Sequence, residues 1–289
     1  MYILQIIING IILGGIYALC GIGMSLILGI VKLTNLAHGE YIIMGAYATA
    51  VIARLLRVDP VITLIFTIPF MFAVGYLFQR LLINHAMSRG EEPALLITFG
   101  LSIILKDGML MLFTPDAHHI TVRYTNSVFH IAGMDISVLN LVLLVVSLTI
   151  ISVLKLIIDK THVGRAIRAV ADDSDAAALS GINVSKTYAV AMGLAAATAA
   201  AAGLCVSMKW TYYPSSGGQY LLIAFVIVVI GGMGSVGGAL RAGMLFGFMQ
   251  VIGGANYGLL ISYIFLIIVL VVDNRRRTGR FNRLRLGFK

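Results

Sequence analysis

The chain has 289 residues, of which 60% are hydrophobic and only 11% charged, against about 25% charged in an ordinary soluble domain. That balance excludes a soluble globular protein, and the absence of alternating strand patterns excludes a barrel, so the fold class is all-α: a polytopic helical membrane bundle, read as a single transmembrane domain over residues 1–289. The net charge of +9 does not point to nucleic acid, because seven cations without an acid sit at the end of the chain, from Arg275 to Lys289, as expected of a positive-inside lipid anchor over 274–289.

In chain order, the N-terminal stretch lacks a basic n-region and a small-residue cleavage pattern, so it is expected to remain as the first span. Apolar runs predict spans at about 3–29, 38–56, 60–82, 93–113, 135–158, 187–208, 219–236, 239–254 and 257–273, each crossing all or most of a bilayer core of about 30 Å. Eight or nine spans follow, according to how Gly29–Gly45 is read. That stretch packs Lys32, Thr34, Asn35, His38 and Glu40 between two apolar arms. It is either a helix break inside the membrane, where Asn35, His38 and Glu40 would border a solute path, or a segment at the membrane surface. In either case Asn35 and Thr34 are expected to cap the helix that follows.

Lys106 and Asp107 in the fourth span are sequence neighbours about 100° apart on a helix, and are expected not to face each other. The loop from Thr114 to Gly133 alternates polar with β-branched or aromatic residues, predicting a small hairpin or a surface-lying strip. Its His118, His119 and His130 have no metal-site spacing. Cys20 and Cys205 lie in apolar runs, with no disulfide or metal site expected.

Residues 159–186 form the one long polar interval in the chain. Asp172, Asp173 and Ser174 offer N-cap oxygens before Asp175, Ala176, Ala177, Ala178 and Leu179, and Gly181 supplies a stop, predicting a surface helix of about two turns. Basic Lys155, Lys160, Arg165 and Arg168 precede it, which puts this interval and the tail in the cytoplasm and the Thr114–Gly133 loop outside. The glycine cluster Gly231–Gly238 lacks the Lys-Ser or Lys-Thr of a phosphate-binding loop and reads as a tight turn or helix break. Small residues at Gly10, Gly14, Gly243, Gly247 and in the run Ala195–Gly203 predict close helix crossings. No catalytic pair or nucleophile motif is present, so an enzyme is not expected.

Three stretches carry a resemblance: GIGMSLILGIVKLTNLAHGE at 21–40, GRAIRAVADDSDAAALSGINV at 164–184 and AFVIVVIGGMGSVGGALRAG at 224–243. Together they resemble the permeases of bacterial ABC importers for branched-chain amino acids, with relatives for urea and short amides. The resemblance implies that Asp175, Ala176, Ala177 and Gly181 match the coupling-helix pattern of importer permeases, with Asp in place of Glu and without the Leu-Pro that often closes the pattern. The coupling segment then comprises Arg165, Arg168, Asp172, Asp173, Ser174, Asp175, Ala176, Ala177 and Gly181.

It also implies a second, homologous but different permease subunit, two ATP-binding subunits that carry ATP and Mg, an extracytoplasmic substrate-binding protein, and residence in the bacterial inner membrane with the C-terminus in the cytoplasm. This chain itself is expected to bind no cofactor. The alternative is a secondary transporter or channel for a small solute without an ATPase partner, for which a polar cytoplasmic island has no evident use.

Overall fold

A computed structural model describes residues 2–131 and 134–286 of the chain. The last three residues of the expected basic tail, 287–289, and the side chains of the rest of it lie outside what is described. Helix α1 (Tyr2–Ile30) is followed by a non-helical stretch and by α2 (His38–Leu56). Helix α3 (Leu64–Phe78) passes through a π turn at Gln79–Ile83 into the short α4 (Asn84–Met87), and α5 (Glu91–Phe113) follows. After the hairpin β1 (Val128–Ile131) and β2 (Met134–Ser137) come α6 (Val138–Lys160), α7 (His162–Asp172), α8 (Ser174–Leu179), α9 (Val184–Lys209), α10 (Gly217–Gly231) and α11 (Val236–Leu286).

Eight helices among the described residues are long and apolar enough to cross a membrane, the last of them Val236–Gly254. The expected ninth stretch, 257–273, is helical too, but it belongs to α11 beyond a non-helical residue, Gly254, at φ 66°. There the chain doubles back: the Ser262 hydroxyl donates to the Phe246 carbonyl at 3.5 Å, and the Tyr263 and Phe246 rings meet edge-on.

The centre of the bundle is α1 and α9, each with 89% of its spanning stretch buried. Both are short of bulky side chains where they cross their neighbours. The run Ala195–Gly203 is buried almost throughout, which lets α1, α2 and α3 pack on α9 at close range. On the other side of α1, a side chain on Gly247 of α11 would collide with the backbone of Gly10 and Gly14. Such backbone contact is how membrane helices gain dispersion energy where water offers no hydrophobic drive.

One end of the bundle carries α7, α8 and the loop after α4. The Asn84 amide, at the start of α4, donates to the Ser185 hydroxyl at 2.7 Å, at the start of α9. The opposite end carries the hairpin and the loop before it. His118 and Tyr212 exchange two backbone hydrogen bonds of 3.0 Å, and the Gln5 amide donates to the Asp135 carbonyl at 2.9 Å. The hairpin is one of the two forms the sequence predicts for this loop, with His130 opposite Asp135. The glycine cluster is a turn joining α10 to α11, with Gly232 and Gly234 at φ 87° and 75° and the Gly234 N–H donating to the Ser25 carbonyl of α1 at 2.9 Å.

Candidate functional site

Two regions gather the residues singled out in the sequence. The first lies inside the bundle. After Ile30 the chain does not cross again as a helix. It runs back along α1 as an irregular stretch, and α2 starts only at His38. The His38 Nε2–H donates to the Cys20 carbonyl of α1 at 3.0 Å, which fixes the tautomer. Cys20 precedes Ile30 by ten residues, a depth of about 15 Å at 1.5 Å per residue. The start of α2 is therefore well inside the membrane, in the manner of a discontinuous helix whose irregular backbone is buried in protein.

Asn35, His38 and Glu40 are 1%, 1% and 6% exposed, which decides between the two readings of this stretch. It is a buried break and not a surface segment. Asn35 holds the break together: its Oδ1 accepts the Ala37 N–H at 3.0 Å, and its amide reaches the Met192 sulfur of α9 at 3.3 Å. The Leu36 N–H finds the Thr98 hydroxyl of α5 at 3.3 Å. Asn35 thus provides the turn before the helix start, but contrary to expectation neither Asn35 nor Thr34 makes a side-chain cap to α2, whose N-cap is Ala37.

A second helix starts against the same place. After α9 the stretch from Trp210 to Ser216 returns into the bundle, with Trp210 stacked on Tyr17 of α1, and α10 begins at Gly217. At 15 residues, α10 is about 22 Å long, less than the bilayer core. A side chain on Gly217 would land on the Glu40 carboxyl group, and one on Gly39 would land on the Gly217 carbonyl. The first turns of α2 and α10 are therefore in contact backbone to backbone, and the Glu40 carboxylate stands at the N-terminal end of both. The positive dipole ends of two helices converge there, an arrangement that favours negative charge. Among the described residues Glu40 Oε2 has no hydrogen-bond partner, nor does His38 Nδ1. Lys106 and Asp107 lie in α5. Contrary to expectation these two neighbours do meet, Nζ to Oδ1 at 3.7 Å, because the long lysine side chain bends back across the turn.

The second region is the polar island. It is two helices and not one, because Asp173 (φ −150°, ψ 109°) is extended. Asp172 ends α7, while Asp173 caps α8, its Oδ1 accepting the N–H groups of Asp175 at 2.9 Å and Ala176 at 3.0 Å. The Ala176 and Asp175 N–H groups, with Lys32 nearby, hold the Asp173 carboxyl below the usual aspartate value. α8 ends as the sequence predicts: Gly181 takes φ 83°, its N–H donates to the Ala178 carbonyl, and the Ile182 N–H donates to the Ala177 carbonyl, each at 3.0 Å. This is a Schellman closure, and it needs a residue that tolerates the left-handed region.

Of the predicted coupling residues, Asp175, Ala176 and Gly181 face outward, Ser174 is half-buried, and Ala177 turns inward at 4% exposure against the core. Arg165 pairs with His162 at 2.5 Å, and Arg168 donates to the Ile158 carbonyl at the end of α6. Arg168 thus ties α7 to α6, whereas the Arg165 contact stays within α7. Sequence reasoning missed Leu179, 91% exposed at the end of α8; its apolar side chain at a capped helix end was the available signal.

The three histidines of the opposite end go to three different partners: His118 to the Phe113 carbonyl, His119 to the Trp210 carbonyl and His130 to Asp135. Among the described residues no group of His, Cys, Asp or Glu has the arrangement of a metal site.

The family model described as branched-chain amino acid transport system / permease component matches residues 6–272. The chain belongs to that family. This permease is 30% identical to the high-affinity branched-chain amino acid transport system permease protein BraD of Pseudomonas aeruginosa, over 97% of this chain and 96% of that one. It is 28% identical to the corresponding LivH protein of Escherichia coli, with the same two coverages. It is also 27% identical to a ribose import permease protein of Haemophilus influenzae, over 89% and 81% of the two chains. No solved structure matches it. The permease is thus a multi-pass helical membrane protein and a transport subunit.

Proposed function

We propose that this permease forms half of the translocation path of an ATP-driven importer for branched-chain amino acids, with α8 as the helix through which ATP hydrolysis on partner subunits moves the bundle. The observation that carries this reading is α8 itself: a capped, outward-facing helix with an exposed apolar tip, in the only long polar interval of an apolar chain. Leu179 supplies an exposed apolar side chain for a docked partner to bury, and Asp175 and Gly181 flank it. Asp173 and the Gly181 closure fix α8 rigidly between α7 and α9, so a push on it is transmitted as a rigid-body displacement. ATP and Mg belong to the partner subunits.

Orientation follows from charge. The end bearing α7 and α8 holds Arg89, Lys160, Arg165, Arg168 and Lys186, and belongs in the cytoplasm together with the basic tail. The hairpin end then faces the extracytoplasmic binding protein. A second permease subunit is supported by α5, only 17% of whose spanning stretch is buried. Its Asp107 side chain is 51% exposed well inside the span. A short carboxylate facing lipid costs about 2.5–3.5 kcal/mol, whereas a polar interface between two permeases accommodates it. Asn35, His38 and Glu40 border the solute path from the side of this chain.

The test is leucine uptake into vesicles carrying the full assembly. Uptake that requires ATP, and an ATPase that co-purifies with this chain, are expected. Uptake driven by an ion gradient without ATP would contradict the reading.

A further inference from the structure

The outer half of α2 borders a cavity that none of the roles above uses. Its volume is about 540 Å³, between α2, the loops at 57–63 and 114–124, and the stretch leading to α10. Two buried tyrosines line it, Tyr47 at 2% and Tyr212 at 0% exposure, and neither hydroxyl has a hydrogen-bond partner among the described residues. A buried hydroxyl without a partner is unfavourable unless something else enters to satisfy it. The hydroxyls are held in place and do not swing freely. The Tyr47 ring stacks on Phe113 at 4.2 Å and meets Tyr212 at 5.0 Å, and Tyr212 is tied to His118 through its backbone.

Tyr47, Val51 and Arg54 follow one another at i, i+4 and i+7 on one face of α2, and all three line the cavity. Arg54 makes no hydrogen bond or ion pair among the described residues. Tyr47, Val51 and Phe113 also line a second, apolar cavity of about 440 Å³ that reaches Met44, Met109 and Leu112. The two cavities meet at Tyr47. The first is lined by Arg54 and by polar residues, and the second is an open groove lined almost wholly by apolar side chains.

We infer that the paired cavities form an entry site for an α-amino acid with an aliphatic side chain: Arg54 takes the carboxylate, the Tyr47 and Tyr212 hydroxyls accept from the ammonium, and the side chain enters the apolar cavity. The guanidinium suits a carboxylate through its planar pair of donors. Among the described residues no acidic side chain lines either cavity, so the ammonium is met by neutral acceptors. Such a site binds weakly, as one that must pass its occupant on to the Glu40 region requires. This inference rests on the importer reading and adds to it the point where solute first meets this chain.

The experiment places a cysteine at Thr121, an exposed residue lining the polar cavity. Cys20 and Cys205 are buried, so a polar maleimide reports on the new thiol. The full transporter in nanodiscs, without binding protein, is alkylated in the presence of L-leucine, leucinol or hexanoate at rising concentrations. L-leucine is expected to slow alkylation several-fold, leucinol (no carboxylate) and hexanoate (no ammonium) much less, and Arg54→Gln or the double change Tyr47→Phe with Tyr212→Phe should remove the protection. An unchanged rate of alkylation without ligand shows that each variant keeps the cavity. Alkylation indifferent to leucine, equal protection by leucinol or hexanoate, or protection that survives Arg54→Gln overturns the site. Absence of ATP-dependent leucine uptake by the unaltered assembly would instead overturn the importer reading, so the two failures are distinct.

Discussion

The break at the start of α2 and the island of α7 and α8 are both polar interruptions of an apolar chain, yet they are built in opposite ways. The break is closed: Asn35, His38 and Glu40 are almost wholly buried, and their surroundings are backbone from α1 and α10 and side chains from α5 and α9. The island is open: Asp175, Ala176, Leu179 and Gly181 all face outward, and its internal bonds are local caps. A closed polar region is held by long-range packing, so altering it disturbs folding and the path together. An open one is held by its own sequence, so altering it disturbs only what docks there.

The largest effect separating the two is expected at Gly217. A valine there collides with the Glu40 carboxyl group and forces α2 and α10 apart. Overpacking of this kind costs about 1–3 kcal/mol, so Gly217→Val should lower both thermal stability and uptake, measured by a melting curve in detergent and by vesicle transport. Next is Glu40→Gln, nearly isosteric. Uptake should fall about tenfold or more while the melting temperature changes little; the tenfold loss corresponds to about 1.4 kcal/mol in the barrier. Wild-type uptake by this variant would remove Glu40 from the path.

In the island, Leu179→Ser should leave the melting curve unchanged and weaken ATPase docking, by about tenfold in Kd if Leu179 is an anchor worth more than about 1 kcal/mol, as read by titration of the purified subunits. The smallest effect is at Asp173. Asn keeps an oxygen acceptor and should preserve coupling, whereas Ala frays α8 and should reduce coupled transport modestly. The Asp173 carboxyl is held below its ordinary value, so its contribution is complete above that value and is lost only as pH falls through the lowered one. Coupling should therefore be flat across the neutral range, and a titration of uptake near neutrality would contradict the cap.

Much of the island was legible because its determinants are local: N-cap oxygen, helix formers and a left-handed glycine follow one another in sequence. The split between α7 and α8 was not, because three consecutive candidates, Asp172, Asp173 and Ser174, offer the same cap chemistry and only the backbone selects Asp173. The contact of Arg168 with the Ile158 carbonyl left no sign in the sequence, because it depends on how α7 folds against α6. The break was visible as a cluster of polar residues, but its depth was not, since depth is set by the bond from His38 to Cys20 on another helix. The pairing of Gly217 with Glu40 joins residues far apart in the chain and left no local sign. Spacing did foretell that Gly10, Gly14 and Gly247 sit at close helix crossings, though not that they meet one another.

The central claim is that α8 couples ATP hydrolysis by others to movement of this chain, and Asp175→Lys tests it most directly because Asp175 is exposed and makes no cap itself. ATP hydrolysis and leucine uptake should be measured together on the same vesicles, with the amount of inserted permease determined. The account predicts normal insertion and a loss of uptake per ATP hydrolysed. Normal insertion with the wild-type ratio of uptake to hydrolysis would contradict it.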